Sequence, residues 1–304
     1  MPGFDDDLRL AHVLADAVER TALELSGSVD PEDRPGPDGT VQTRAAVRLE
    51  ELLRHQLHRT RPRDRVEGRW LPATGRGERR WVLDAIDGSA SYVRGLPAWA
   101  TLISLVVDED PVLGLVAAPS LARRWWAGRG SGAWTGRTLA RARQVHVSTT
   151  SVLAHSSVSA DQLAGWVTGP RAAGFTQVVE RSWSTRAYGD FWSHTLLAEG
   201  TVDVALAARA DAMQLAALLP LLQEAGATVT DPWGQTTDLR LTDPERVVVA
   251  SNGHLHEEVL AALSGAPVDT ADPAPAIPAD GAHHGPVHPA DAVHTGPIIP
   301  GAQG

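Results

Sequence analysis

Residues Trp81-Val82-Leu83-Asp84-Ala85-Ile86-Asp87-Gly88-Ser89 form an apolar run that ends in two acids, a glycine and a hydroxyl residue. The run predicts a buried strand that carries Asp84 and Asp87 to one point, and clustered carboxylate oxygens are the ligands that Mg²⁺ prefers. Gly88 and Ser89 are expected to begin a helix whose backbone N–H groups can hold a phosphate. The plainer alternative is a strand that runs into an Asp-rich turn, because Asp, Gly and Ser all favour turns.

The composition excludes several kinds of chemistry. The 304 residues carry a formal net charge of −10, which argues against a nucleic-acid binder held by phosphate contacts. There is no Cys and all 27 basic residues are Arg, so thiolate, Schiff-base lysine and P-loop lysine chemistry are excluded. The acidic N-terminus is unlike a signal peptide, and no apolar run approaches the roughly 20 residues of a membrane span. We therefore expect a cytoplasmic protein without membrane contact.

The chain divides into three regions by pattern. Residues 1–150 show two amphipathic helices and then strand-like runs with short connections, which predicts an N-terminal α+β half that carries the acidic motif. Residues 151–263 alternate between strands and helices and predict a C-terminal α/β half, with Gln177–Val179 as one of its strands. Residues 264–304 are rich in Pro, Ala, Gly and His, a composition typical of a disordered tail.

Further motifs follow the first one in order. They are Ala90–Pro97, Ile103–Val107, Gly114–Val116, Gly130–Trp134, Arg186–Phe191 and Ala216–Ala227. With residues 81–89 they make the chain, over about residues 8–263, resemble the inositol monophosphatase family of Mg²⁺-dependent phosphatases. The Gly189-Asp190 pair is most similar to the histidinol-phosphate phosphatase branch of that family.

The resemblance implies a fold, a cofactor and a substrate class. The fold is an α/β, layered αβαβα sugar-phosphatase-like one, with a mixed, largely antiparallel first sheet and a second α/β half. The cofactor is Mg²⁺, the substrate is a small anionic metabolite such as a phosphate ester, and the usual assembly is a homodimer.

The resemblance also assigns site residues by their position in the motifs. The metal ligands are Glu67, Asp84, the Ile86 carbonyl and Asp87. The catalytic residues are Glu67, Asp84 and Ser89, whose hydroxyl replaces a threonine that positions the attacking water. The substrate contacts are Gly88, Ser89 and Asp190, and Arg44, which is not a family residue, is added to them as a group that stabilises phosphate charge in place of a metal.

Three positions depart from the family pattern. Arg44 stands where the family has an Asp, Gln214 where an Asp binds the second metal, and Ala207 where a Glu contacts substrate. Together they make the site about four charge units more positive, which weakens divalent binding. We therefore predict weak or single-site Mg²⁺ binding, with Asp211 as a possible substitute ligand. We also predict that Arg44 pairs with Asp84 or Asp87 in the vacated metal space.

These departures leave three hypotheses for the function open. One is metal-dependent hydrolysis of a small phosphomonoester, impaired by the altered site. The alternative is a family member without phosphatase activity, either an anion-binding or regulatory protein or a scaffold repurposed for other chemistry on a small metabolite. A third is a structural partner of an active paralogue, since function depends on the site and not on the fold.

Overall fold

A seven-stranded sheet is built around the apolar run that holds the two acids. In a computed structural model that describes residues 4–28, 34–35, 41–236 and 247–265, this run is a nine-residue strand, Arg79–Asp87. Its last seven residues are all buried, which explains why it is apolar on both faces. The first two strands along the chain are short and pair with each other, β1 (Arg34–Pro35) and β2 (Val41–Gln42). The large sheet then contains β3 (Arg65–Gly68), β4 (Arg79–Asp87), β5 (Ala100–Val107), β6 (Asp110–Ala118), β7 (Arg123–Gly128), β8 (Ala133–Gly136) and β9 (Arg143–Val145).

The strands of this first sheet lie side by side in sequence order. Only β3 and β4 pair in parallel, and the other neighbouring pairs are antiparallel. A second sheet of five strands follows in the order β11-β10-β12-β14-β13 and mixes parallel and antiparallel pairs. Its strands are β10 (Ser157–Ala160), β11 (Ser184–Arg186), β12 (Val204–Ala207), β13 (Thr228–Thr230) and β14 (Val248–Ser251).

Eight helices cover the two sheets in the described part of the chain. They are α1 (Asp5–Leu25), α2 (Arg44–Thr60), α3 (Ser89–Val93), α4 (Leu163–Thr168), α5 (Ala172–Arg181), α6 (Asp190–Ala198), α7 (Ala212–Ala225) and α8 (His256–Leu263). Helices α1 and α2 pack on the outer face of the first sheet, and α6 and α7 share a core with both sheets. Helices α5 and α8 pack on the outer face of the second sheet. The layers are therefore α, β, α, β, α.

The structure confirms the predicted fold class, with its largely antiparallel first sheet and second α/β half. One element was predicted wrongly, because Gln177–Val179 lies in α5 and not in a strand. Phe175 and Val178, three residues apart, are both buried against the second sheet, which is helical and not strand periodicity. The division at residue 150 stays a prediction, and the predicted tail lies outside the described residues from position 266 onward.

No helix among the described residues is long and apolar enough to cross a bilayer.

Candidate active site

The site lies at the end of β4, where a bulge changes the direction of the side chains. Residues three apart in a regular strand point to opposite faces, but the pairing of β4 with β5 shifts register between Asp84 and Asp87. The two acids are close enough that the charge of Asp84 helps to raise the pKa of Asp87. Gly88 has φ +77° and passes so close to the Ala98 carbonyl oxygen that a Cβ would lie 2.5 Å from it. Only glycine fits this turn into α3 without strain.

Asp87 is buried and both of its carboxylate oxygens accept hydrogen bonds. The Phe191 backbone N–H donates to Oδ2 at 2.8 Å, and the Gln214 side-chain amide donates to Oδ1 at 2.9 Å. Burial, followed by the charges of Asp190 and Asp84, raises the pKa of Asp87 well above its ordinary value. Gln214, at the start of α7, thus occupies one oxygen of the acid that the resemblance assigns to the metal.

Asp84 is paired with an arginine that the sequence analysis did not single out. The Arg69 guanidinium donates to Asp84 Oδ2 from Nη2 at 2.6 Å and from Nε at 3.2 Å. Its Nη1 donates to Asp211 Oδ2 at 2.6 Å. Burial alone would lower the pKa of Arg69, but the carboxylates of Asp84 and Asp211 raise it above its ordinary value. We call these three residues the Arg69 cluster.

A second acidic group lies beside these carboxylates. Asp190 begins α6 in the left-handed region, at φ +45°, which is a strained position for a residue with a side chain. Burial and the charge of Asp84 raise the pKa of Asp190. Burial and the charge of Asp190 also raise the pKa of Asp161 to about 7, although the Ala208 N–H donates to Asp161. The site is therefore rich in acidic groups whose charged forms are disfavoured by burial and by one another.

The remaining residues that the sequence analysis singled out lie on four different elements. Ser89 is buried at the start of α3, and its Oγ accepts a hydrogen bond from the Val41 N–H at 2.8 Å. Ile86 lies in the bulge with its side chain in the first core. Arg44 is the exposed first residue of α2, and its predicted pairing with the acids stays a prediction. Ala207 is fully buried at the end of β12.

Glu67 is engaged away from the acids of the bulge. Its carboxylate pairs with Arg65 at 2.6 Å and with Arg80 at 3.3 Å, all three on one face of the paired strands β3 and β4. These contacts do not support the assignment of Glu67 as a ligand shared with Asp84. The side chain of this strand end that does reach Asp84 is Arg69.

The residues present do not fit a Mg²⁺ site of the kind that the family resemblance implies. Among the described residues, no group of three or more His, Cys, Asp or Glu side chains is arranged to hold a metal ion. Asp84 Oδ1 is the one buried oxygen of the two motif acids that has no hydrogen-bond partner there. Two-metal chemistry needs several such oxygens, and here a guanidinium and an amide engage them.

The strand register is the one feature from which the contact of Arg69 with Asp84 could have been predicted. The parallel register aligns Glu67 with Val82 and Gly68 with Leu83, and its continuation places Arg69 beside Asp84. Finding it requires knowing that β3 pairs with β4 in parallel, which the short runs of apolar residues do not show.

Comparisons with known proteins agree with this fold. A model of the inositol monophosphatase family matches residues 9–267, so the chain belongs to that family. A histidinol-phosphatase of Streptomyces coelicolor is 43% identical over 87% of this chain and 99% of its own length. A histidinol-phosphatase of Mycobacterium tuberculosis is 39% identical over 85% of this chain and 98% of its own.

Solved structures show the same architecture. An inositol monophosphatase from Zymomonas mobilis superposes with a TM-score of 0.73 at 26% identity and covers 87% of this chain and all of its own. The IMPase of Thermotoga maritima gives a TM-score of 0.76 at 23% identity, over 85% of this chain and 97% of its own, and that similarity concerns the fold alone.

Proposed function

We propose that this chain takes a small phosphate monoester at the end of β4 and that its metal-dependent hydrolysis of that ester is impaired. Membership of the inositol monophosphatase family supports the substrate class. Two similar proteins that this chain covers almost fully are histidinol-phosphatases, so histidinol phosphate is the first ester to test. The observation that carries the impairment is the contact of Arg69 with Asp84.

The impairment follows from the charge at the acids. A divalent ion about 4 Å from a fixed guanidinium is repelled by about 8 kcal/mol at an effective dielectric constant of 20. The Gln214 amide adds no charge to attract the ion and uses Asp87 Oδ1 as its own acceptor. We accordingly propose that Mg²⁺ binds weakly and at no more than one site, at Asp84.

A second candidate is a family member that binds a small metabolite without hydrolysing it. The observation that favours it is that both oxygens of Asp87 already accept hydrogen bonds from protein groups. Since attack on a phosphate ester in this class needs a clamp on both the attacking and the leaving oxygen, loss of one carboxylate affects turnover more than binding. A cytoplasmic location, which the sequence composition favours, and a homodimeric assembly, which the family resemblance implies, are further proposals.

The test is phosphate release from histidinol phosphate, inositol monophosphate and other small monoesters, with Mg²⁺ and with a chelator. The Asp84→Asn variant gives the background that does not come from this site. We expect Mg²⁺-dependent turnover close to that background. Turnover on the order of 1 s⁻¹ or faster, abolished by Asp84→Asn, would overturn the proposal. Calorimetric binding of the same esters without turnover would favour the second candidate.

A further inference from the structure

We propose that Arg69 is a built-in cation that neutralises the acids at the end of β4 in place of a metal ion, and that Glu50 and Arg54 position it. The inference deepens the proposed function and rests on its premise that no divalent ion is held tightly there. It assigns a positioning pair on α2 that acts on the site through the chain segment around Arg69.

The charge argument begins with the burial of Asp84. Its side chain is 1% exposed, so water cannot stabilise the carboxylate, and Asp87 and Asp190 add like charge nearby. An uncompensated buried carboxylate is strongly unfavourable. The Arg69 guanidinium supplies the compensation with two hydrogen bonds to one oxygen of Asp84.

The segment that carries Arg69 is fixed from α2. Glu50 is fully buried, and its carboxylate accepts hydrogen bonds from the Trp70 N–H at 2.9 Å and the Leu71 N–H at 3.2 Å. A Cβ on Gly68 would lie 2.1 Å from Glu50 Oε1, so the carboxylate packs directly against the backbone before Arg69. The backbone is thus held on both sides of the arginine.

Arg54 completes this support. Its Nε donates to Glu50 at 2.8 Å, and its Nη groups donate to the Leu71 carbonyl at 2.9 Å and the Pro72 carbonyl at 3.0 Å. The buried Glu50–Arg54 ion pair makes most of its hydrogen bonds to the backbone of residues 70–72, and it therefore fixes the conformation of this segment. Because the backbone around Arg69 is already fixed, the contact of its guanidinium with Asp84 costs little additional conformational entropy.

The other end of Arg69 connects the strand to α7. Asp211 Oδ1 accepts from the Met213 N–H at 2.7 Å and caps the helix, while its Oδ2 accepts from Arg69. The same helix carries Gln214, which donates to Asp87. Arg69 thus links the acids of β4 to the helix that carries Gln214, the donor to Asp87.

The experiment is thermal unfolding of the full chain in a chelator and in millimolar Mg²⁺. We expect the unmodified protein to shift by less than about 1 °C between the two conditions. Arg69→Glu removes the cation and adds a hard oxygen ligand beside Asp84, so its midpoint should rise by at least about 3 °C in Mg²⁺. Arg69→Lys keeps the charge but loses the planar fork, so it should be less stable and still not respond to Mg²⁺.

Matched controls separate this effect from general damage. Arg80→Gln removes a cation from the same face of the two strands, where it pairs with Glu67 and Glu109, and should leave the Mg²⁺ response unchanged. Should Arg69→Glu not fold, Arg69→Gln decides by the same measurement. The inference is overturned if Arg69→Glu or Arg69→Gln folds and its unfolding midpoint rises in Mg²⁺ no more than that of the unmodified protein.

The positioning pair has its own readout. Glu50→Gln should lower the unfolding midpoint and also create a Mg²⁺ response, because a loosened Arg69 competes less well with the ion. Glu51→Gln, in an exposed pair with Arg48 on the same helix, should do neither. A Glu50→Gln protein that is less stable but has no Mg²⁺ response overturns the positioning claim. Tight Mg²⁺ binding by the unmodified protein would instead overturn the proposed function.

Discussion

Arg69 and Arg124 both lie buried against acids, and they differ in how far water reaches the carboxylates that they pair with. Arg69 pairs with Asp84, whose side chain is 1% exposed. Arg124 pairs with Asp16 at 2.5 Å and Glu19 at 2.6 Å, whose side chains are 66% and 34% exposed. We call these three residues the Arg124 cluster. Water can replace the arginine for the exposed carboxylates, but it does not reach Asp84, which without a cation must stay uncompensated or take up a proton.

The comparison shows why similar ion pairs have different consequences. In the Arg124 cluster the buried cation depends on its surface acids, which are easily solvated in its absence. In the Arg69 cluster the buried anion depends on its cation. The acids of the candidate site are therefore the part of the molecule whose stability is tied to the arginine, and a site of this kind is where a metal ion and a guanidinium are alternatives.

The largest expected effect comes from removing each arginine in turn. Arg69→Ala leaves Asp84 buried and unpaired, so we expect a loss of about 3–5 kcal/mol in the free energy of unfolding. Arg124→Ala leaves solvated acids, and the loss should stay within about 1–2 kcal/mol, mostly from lost packing. Urea unfolding of both variants measures the difference. Equal losses would show that the exposure of the partner carboxylate does not decide the effect.

A second effect concerns the acid beside the site and its dependence on pH. The pKa of Asp161 is raised from 3.8 to about 7, so the folded chain holds this proton at higher pH than the unfolded chain does. Stability from this group therefore falls as pH rises from about 4 to about 7, by up to about 3–4 kcal/mol. Asp161→Asn should remove that fall and be the more stable protein above pH 7. Asp110→Asn, at an exposed acid, is the control, and a parallel profile for both variants would contradict the assignment.

The smallest expected effect is a change in the pKa of His12, which lies beside the Arg124 cluster. Burial, and then the charge of Arg124, lowers the pKa of His12 from 6.5 to about 4. This group's contribution to stability is therefore lost as pH falls from about 6.5 toward 4, the opposite sign to Asp161. Arg124→Ala should raise the pKa of His12 in an NMR titration. An unchanged value would mean that burial alone sets it.

The extent to which the sequence predicts this site depends on how local each feature is. Asp84, Asp87, Gly88 and Ser89 lie in one short stretch, so the strand, the turn and the acids follow from local patterns. Gln214 was identified only through the family resemblance, because it lies 127 residues from the acid it contacts. The resemblance could show that an acid is missing there, but not that the amide donates to Asp87.

The contacts of Arg69 and Glu67 could not be predicted from local sequence patterns. Glu67 was assigned as a ligand because it lies close to the position of the metal-binding Glu in the family that the chain resembles. The parallel pairing of β3 with β4 brings Arg69 beside Asp84, while Glu67 pairs with Arg65 and Arg80, so its role as a ligand stays a prediction. Arg44 was predicted to pair with Asp84 or Asp87, and that pairing stays a prediction, while the structure shows a guanidinium contact to Asp84 from Arg69. The family alignment pointed to Arg44 and gave no indication that Arg69 contacts Asp84.

The central claim is that a guanidinium takes the place of divalent ions among the acids of β4. Calorimetric titration of the unmodified protein with Mg²⁺ tests it most directly, because the heat reports binding whether or not any substrate is turned over. The account predicts at most one weak site, with a dissociation constant in the millimolar range, a binding free energy of about −4 kcal/mol. Two or more sites at micromolar affinity would contradict it.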